Sequence, residues 1–370
     1  MPEPGPAPVL VAAGGTGGHL FPAEALAAAL NKHGIAVHLV TDRRAERFGD
    51  AFPEQAIHVV ASETLRGRNP VAVAKMAAKL GLGLLQARTL IRTLKPAAVV
   101  GFGGYPTVPP VLAAAWAGVP SLIHDSNAVI GRANRFLAPR VNAIATSFPD
   151  VFSQSPDLAA KATLTGNPVR PAVVTAAATS YPAPVDPLRL LIFGGSQGAR
   201  VMAEVVPAAI GLLDPALRMR LSITQQARAE DLPQVCNAYA ALPVNAEIAP
   251  FFADLPARIA ASHLIVSRSG ASTVAELAAI GRPSILVPLP HALDQDQFAN
   301  ASVLEKAGGA IRLVQRDFTP HRLASEIATL AAAPQNLAKM ANAAKSVGRL
   351  DAADRLAALV LNVAAGGANQ

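Results

Sequence analysis

Two glycine turns carry the residues of this chain that could do chemistry. Gly14-Gly15-Thr16-Gly17-Gly18-His19 follows the apolar run 9–13, and Gly194-Gly195-Ser196-Gln197-Gly198-Ala199-Arg200 follows the run 188–193. A buried strand that feeds a glycine turn and then a helix aims backbone N–H groups past the strand end, where a phosphate can sit. Glycine permits positive φ and close approach, and Thr16 adds a hydroxyl. His19 is the one residue of the first turn able to exchange a proton near neutral pH; the plainer alternative is a helix-start histidine that caps or packs. As a dinucleotide fingerprint the turn is imperfect. Gly15-Thr16-Gly17 fits G-x-G, but Leu20 stands where the third glycine belongs. Asp42, at the end of the second strand pattern, could still read a ribose, so a nicotinamide oxidoreductase stays open.

Other strand ends add candidates. Gly101-Phe102-Gly103-Gly104-Tyr105 follows the run 97–100, and His124-Asp125-Ser126-Asn127 ends another strand. Side chains at strand C-termini stand where open α/β sheets bind ligands. Asp125 is a candidate general base, or an N-cap for a segment opening at Ala128. In the second half Ser267-Arg268-Ser269-Gly270-Ala271-Ser272-Thr273-Val274-Ala275-Glu276 runs from strand into helix. Its small residues let amides face a diphosphate, with Ser269 or Ser272 as the cap. Glu276, one turn in, could accept both hydroxyls of a ribose, or simply complement the helix dipole. Asp294 and Asp296 form an Asp-x-Asp pair that could hold a divalent ion on a nucleotide. A helix cap is the preferred reading, and no metal is expected.

These residues need rigid elements behind them. Strand patterns at 9–13, 37–41, 97–101 and 121–124 and a helix pattern at 23–32 imply βαβ units and a parallel sheet. The alternation resumes with strands at 188–193, 220–224, 264–267 and 284–287 and helices at 199–212 and 272–280. Between them Pro168, Pro171, Pro182, Pro184 and Pro187 mark a linker. The expected organisation is a Rossmann-like domain over 1–170, a linker over 171–187, a second Rossmann-like domain over 188–345, and a terminal helix in 346–370 packed back on the first domain.

Half of the 370 residues are apolar and 15% are charged, enough to bury two cores. The single cysteine, Cys236, excludes an intramolecular disulfide. The start of the chain lacks a basic n-region and reads as a first strand, not a signal peptide. No stretch approaches the roughly 18 apolar residues of a membrane span. The net charge is +7, and residues 1–175 hold 16 Lys and Arg against 10 Asp and Glu. No acid occurs between Glu63 and Asp125, a span holding Arg66, Arg68, Lys75, Lys79, Arg88, Arg92 and Lys95 among leucines and valines. Such a segment can rest on anionic lipid or be an ordinary surface helix. Aromatics make up 4% of the chain and form no stacking platform, which argues against nucleic acid.

Taken in series, the two glycine turns, Gly103-Gly104-Tyr105, Thr165-Gly166-Asn167-Pro168-Val169-Arg170, Ser267-Arg268-Ser269-Gly270 and the 294–297 segment resemble the MurG family, in order and spacing from about residue 9 to 310. The resemblance implies a GT-B fold: two Rossmann-like domains with parallel sheets facing a central cleft. It implies N-acetylglucosamine transfer from UDP-N-acetylglucosamine to undecaprenyl-diphospho-N-acetylmuramoyl-pentapeptide (lipid I), with inversion to a β(1→4) linkage in lipid II, and no cofactor. Donor contacts carry over to Thr16, Gly17, Gly18, Asn127, Arg170, Ser196, Phe252, the residues Ala271, Ser272, Thr273, Val274, Ala275 and Glu276, and to Gln297, with Gln295 as a second possibility. Phe252 stands where an aliphatic residue is common. Asp125 stands where relatives carry a glutamate, so its carboxylate is one methylene shorter. The resemblance makes His19 or Asp125 the base, and a lipid acceptor favours a membrane-surface role for 65–95, at the cytoplasmic face of the inner membrane. It also admits other cell-wall synthesis proteins as partners. The alternatives are a non-hydrolysing UDP-sugar 2-epimerase of the same fold and a non-catalytic nucleotide-sugar sensor.

Overall fold

The structure is a computed structural model that describes residues 6–42, 56–62, 70–183, 186–195 and 198–366. The chain divides into two compact units, residues 1–170 with 350–370, and residues 171–349.

The first unit is built on seven strands: β1 (Val9–Ala12), β2 (Val37–Thr41), β3 (Ala56–Val59), β4 (Ala98–Gly101), β5 (Ser121–Asp125), β6 (Ala143–Thr146) and β7 (Ala162–Leu164). Their order is β3-β2-β1-β4-β5-β6-β7, all parallel. The second unit has β8 (Leu188–Phe193), β9 (Leu221–Gln226), β10 (Asn245–Ala249), β11 (Leu264–Ser267), β12 (Ser284–Leu286) and β13 (Ala310–Arg312), in the order β10-β9-β8-β11-β12-β13, again all parallel. Each sheet starts in the middle and winds outward in both directions. The strand order therefore reverses between β1 and β4 in one unit and between β8 and β11 in the other. At such a switch point two loops leave in opposite directions and open a crevice at the carboxyl edge. Each glycine turn of the sequence lies at one of these two points.

Helices cover both faces. One side of the first sheet packs Val9, Val11, Val100 and Leu122 against Leu26 and Leu30 of the helix Gly17–Lys32, and against Leu356, Val360 and Val363 of the final helix, Ala352–Ala364. That last helix follows the second unit in sequence but belongs to the core of the first. The other side buries Leu10, Val99, Ile123 and Ile144 with Val111, Leu137 and Ile91. In the second unit Leu190, Ile192, Ile223 and Val266 pack on Val206, Ile210, Leu323 and Ile327.

Local differences from the sequence reading have physical causes. The first helix begins at Gly17, not 23, and Pro22 lies within it. Glycine and proline disfavour a helix by propensity; here burial of Gly17, Leu20, Pro22 and Ala23 decides instead. Residues 171–177, inside the proline-studded stretch, form the helix Pro171–Ala177 with Val173 and Ala176 buried.

Candidate active site

In the first unit the ends of β1, β4 and β5 meet. Phe102 N–H donates to Ala12 O (2.8 Å) and Gly14 N–H to Gly103 O (3.2 Å), tying the two turns across the switch point. Gly103 and Gly104 lie at φ +92° and +78°, where a side chain is disfavoured. Space for one is tight as well. A Cβ on Gly103 would stand 3.3 Å from His19 Cδ2 and Nε2 and 3.5 Å from Asn134 Nδ2, and a Cβ on Gly14 would stand 3.1 Å from His19 Nδ1. The glycines thus clear a slot for the imidazole. Thr16 Oγ1 lies 3.1 Å from His19 Nδ1, which orients the ring with Nε2 beside Gly103. Thr16 is the extended N-cap of the helix Gly17–Lys32, so Gly17 and Gly18 supply first-turn amides that have no carbonyl a turn earlier.

Asp125 sits differently. It is 2% exposed, and both carboxylate oxygens are engaged. Oδ1 accepts from Asn127 N–H (3.0 Å), and Oδ2 accepts from Gly131 N–H (2.9 Å) and Asn134 Nδ2 (3.0 Å). Its neighbour His124 is fully buried between Gly166 O (3.1 Å from Nε2), Ser147 Oγ (3.3 Å from Nε2) and Ser126 Oγ (3.5 Å from Nδ1). Burial pushes its pKa down to about 4, against a small opposing effect of the Gly166 carbonyl, so the ring is neutral at physiological pH. Arg170 closes this side, its guanidinium carbon 4.1 Å above the ring of Phe21. Burial raises the carboxyl pKa of Glu24, with Arg170 opposing. Sequence patterns gave no sign of Phe21, Glu24 or Asn134, because each acquires its place only through the packing of distant turns.

In the second unit the switch point lies between the turn after β8 and the segment after β11. Gly195 and Gly198 lie at φ +84° and +68°, and a Cβ on Gly198 would meet Arg228 Cγ at 2.5 Å. Arg228 is itself held by Asp231 (2.6 Å) and Glu230 (3.0 Å). Ser196 lies outside the described residues. After β11 the buried Arg268 donates to Val287 O (3.0 Å), Pro288 O (3.1 Å) and Gln315 Oε1 (2.6 Å), and burial lowers its pKa. The helix Ala271–Ile280 has Gly270 at its N-cap, which offers no side chain to the first amides. Ser269 turns away, its hydroxyl donating to Gln297 O (2.8 Å), and Ser272 Oγ is buried with no partner among the described residues. The expected serine cap is therefore absent, and the amides at Ala271, Ser272 and Thr273 stay open to a ligand. Val274 is buried and Ala275 half-buried on the same helix, and Glu276 lies in its second turn, 6% exposed.

The 288–297 loop is drawn onto this helix start. Gln297 Oε1 accepts from Leu289 N–H (3.1 Å), and Asn300 Nδ2 donates to Ser269 O (3.3 Å). Asp294 and Gln295 occupy left-handed backbone at φ 55° and 53°, and the Gln295 side chain is exposed. Asp296 Oδ1 accepts from Gln297 N–H, and its carboxyl pKa is raised by burial and by Asp294. Among the described residues no cluster of three or more potential metal ligands occurs. Phe252 is buried in the loop after β10, with Arg258 Cζ 4.3 Å over its ring. Arg258 is fixed by Glu247 (2.6 Å) and Asp254 (2.7 Å).

Two parallel sheets, each with an anion-ready turn at its switch point, define a class of protein, and the comparisons give its name. Residues 9–146 match the glycosyltransferase family 28 N-terminal domain and residues 189–356 the glycosyltransferase family 28 C-terminal domain. The fold is thus that of the two-domain GT-B glycosyltransferases. A protein of Rhodopseudomonas palustris (strain BisB18), 64% identical with 96% of each chain covered, is named UDP-N-acetylglucosamine–N-acetylmuramyl-(pentapeptide) pyrophosphoryl-undecaprenol N-acetylglucosamine transferase. A Nitrobacter winogradskyi protein of the same name is 62% identical over 97% of this chain and 98% of its own. The crystal structure of Acinetobacter baumannii MurG aligns with a TM-score of 0.78 at 30% identity, covering 96% of this chain and all of that one. The chain belongs to the MurG family of N-acetylglucosamine transferases.

Proposed function

We propose that this chain transfers N-acetylglucosamine from UDP-N-acetylglucosamine to undecaprenyl-diphospho-N-acetylmuramoyl-pentapeptide, forming lipid II with inversion to a β(1→4) linkage in peptidoglycan synthesis. The observation that carries this reading is the 64% identity, over nearly the whole chain, to a relative named for that transfer. In a single displacement the acceptor oxygen bonds to the anomeric carbon as the bond to the β-phosphate oxygen breaks. The electron pair leaves with UDP. The acceptor proton goes to His19 Nε2, which carries the lone pair in the tautomer whose Nδ1–H donates to Thr16 Oγ1. Asp125, whose oxygens accept from Asn127 N–H, Gly131 N–H and Asn134 Nδ2, holds the turn that carries Asn127 and is a positioning residue.

Charge developing on the β-phosphate would be met by the open amides of residues 271–273 and by the glycine turn after β8, fixed dipoles that need no reorganisation. In the first unit the proposed donor-contact residues are Arg170, Thr16, Gly17 and Gly18. Ser196, Gln295 and Gln297 complete the proposed donor set, with Phe252 beside the uracil and Glu276 on the ribose. The amides carry the charge, so turnover should survive a chelator.

The helix Pro70–Leu94 supplies a membrane-facing surface in this reading. It bears Lys75, Lys79, Arg88 and Arg92, and exposes Leu82 and Leu85 at 52% and 64%. The helix packed along it, Val108–Trp116, ends on Trp116, 69% exposed. Basic and apolar signals together bind anionic lipid where either alone is weak. Arg66 and Arg68 lie outside the described residues. No described helix is long and apolar enough to cross a membrane, and we place the protein peripherally at the cytoplasmic face. Turnover of labelled donor with a short-chain lipid I analogue tests the whole reading. UDP and a β-linked disaccharide should appear together and only with acceptor, whereas a C2-epimerised donor formed without acceptor would refute it.

A further inference from the structure

The parallel ladder between β8 and β9 stops at the pair Ile192 and Gln225. Beyond it β8 has one more residue, Phe193, which pairs with Ser267 of β11 before the glycines begin, while Gln226 of β9 pairs with Ala249 of β10. The Gln226 side chain takes over there. Its Oε1 accepts from Gly194 N–H at 3.1 Å, and its Nε2 donates to Pro250 O at 3.2 Å. One carboxamide thus spans β9, from the first residue of the phosphate-facing turn on one side to the loop two residues before Phe252 on the other. An amide offers an acceptor and a donor on one planar group; a carboxylate has no proton to give the Pro250 carbonyl. The outer flank of the same loop is braced independently by Arg258, stacked on Phe252 and tied to Glu247 and Asp254.

We infer that Gln226 is a positioning residue that fixes the spacing between the diphosphate subsite and the nucleobase subsite of the donor. This rests on the donor reading above. Two weak subsites add their affinities fully only when their separation already matches the ligand, since ordering them on binding costs part of the gain. Gln226 removes that cost without touching the nucleotide. It shapes affinity for the whole nucleotide more than affinity for either fragment.

The test compares Gln226→Leu with the unsubstituted full chain, using calorimetry for UDP and ligand-observed NMR for uridine and inorganic pyrophosphate. The inference expects UDP affinity to fall about tenfold, the net worth of roughly one hydrogen bond, while each fragment changes less than threefold. Unchanged UDP affinity overturns it, and so does a fragment loss as large as the UDP loss, which would mean a collapsed loop and not a lost spacing. Gln226→Glu keeps the acceptor for Gly194 and forfeits the donor to Pro250, and it should show the same split between whole and fragments. Failure of both variants to fold would make Gln226 a requirement of the fold and also overturn the inference. If the unsubstituted chain binds no UDP, the donor reading itself falls, a distinct result.

Discussion

Asp125 separates two accounts of the first unit, and replacing it with asparagine tells them apart. Its Oδ2 holds Gly131 N–H and Asn134 Nδ2, so an asparagine would place its oxygen there and keep both bonds in neutral form. Its NH2 would then face Asn127 N–H, which loses its acceptor in a site only 2% exposed. An orphaned buried donor costs about 1–3 kcal/mol, and two charge-assisted bonds reduced to neutral ones cost roughly another 1–2 kcal/mol. A total near 3 kcal/mol corresponds to a melting shift of about 6–12 °C for a unit of this size. Calorimetric scanning of Asp125→Asn should show that drop in one transition, with UDP affinity nearly intact and kcat lowered less than tenfold. A general base gives the reverse pattern, a rate loss of about 10²–10⁴ with stability unchanged. Unchanged melting together with such a rate loss would refute the assignment of the proton to His19.

His124 makes the fold acid-sensitive. Its folded pKa near 4 lies below the usual 6.5. The unfolded chain therefore binds the extra proton between those values, and stability is whole above about pH 6.5 and declines as pH falls toward 4. The loss is on the order of 3 kcal/mol, and His124→Gln should flatten that part of a urea-midpoint profile against pH. Gly103→Ala puts a methyl 3.3 Å from two His19 ring atoms at φ +92°. Turnover should fall more than tenfold with a stability loss of about 1–3 kcal/mol, while UDP affinity, to which Gly103 is assigned no contact, holds within about twofold.

Much of the fold was legible because β1, β4, β8 and β11 are largely apolar, broken only by Arg189 in β8 and Ser267 at the end of β11, as strands buried on both faces tend to be. The strands left unread are the edge strands β3, β7, β10 and β13, which are partly exposed or only three residues long, and β6, an interior strand of four buried residues with two alanines and a threonine. The glycine turns announced their own chemistry, since positive φ and close approach are written in residue type. The roles of Asp125 and Ser269 were not. A carboxylate at a strand end reads alike whether it meets substrate or three backbone and amide donors, and only the path of residues 127–134 decides. Ser269 could cap its helix by sequence, but the Gln297 carbonyl lies close enough to accept its hydroxyl hydrogen bond. Gln226 carries no local signal, because both of its partners lie on other strands' loops.

In the proposed mechanism main-chain amides hold the leaving diphosphate, and a crystal structure of the UDP complex tests this most directly. The β-phosphate oxygens should lie about 3 Å from the amides at residues 271–273 and from the turn after β8. A diphosphate remote from both turns, or bound through a cation on Asp294 and Asp296, would contradict it.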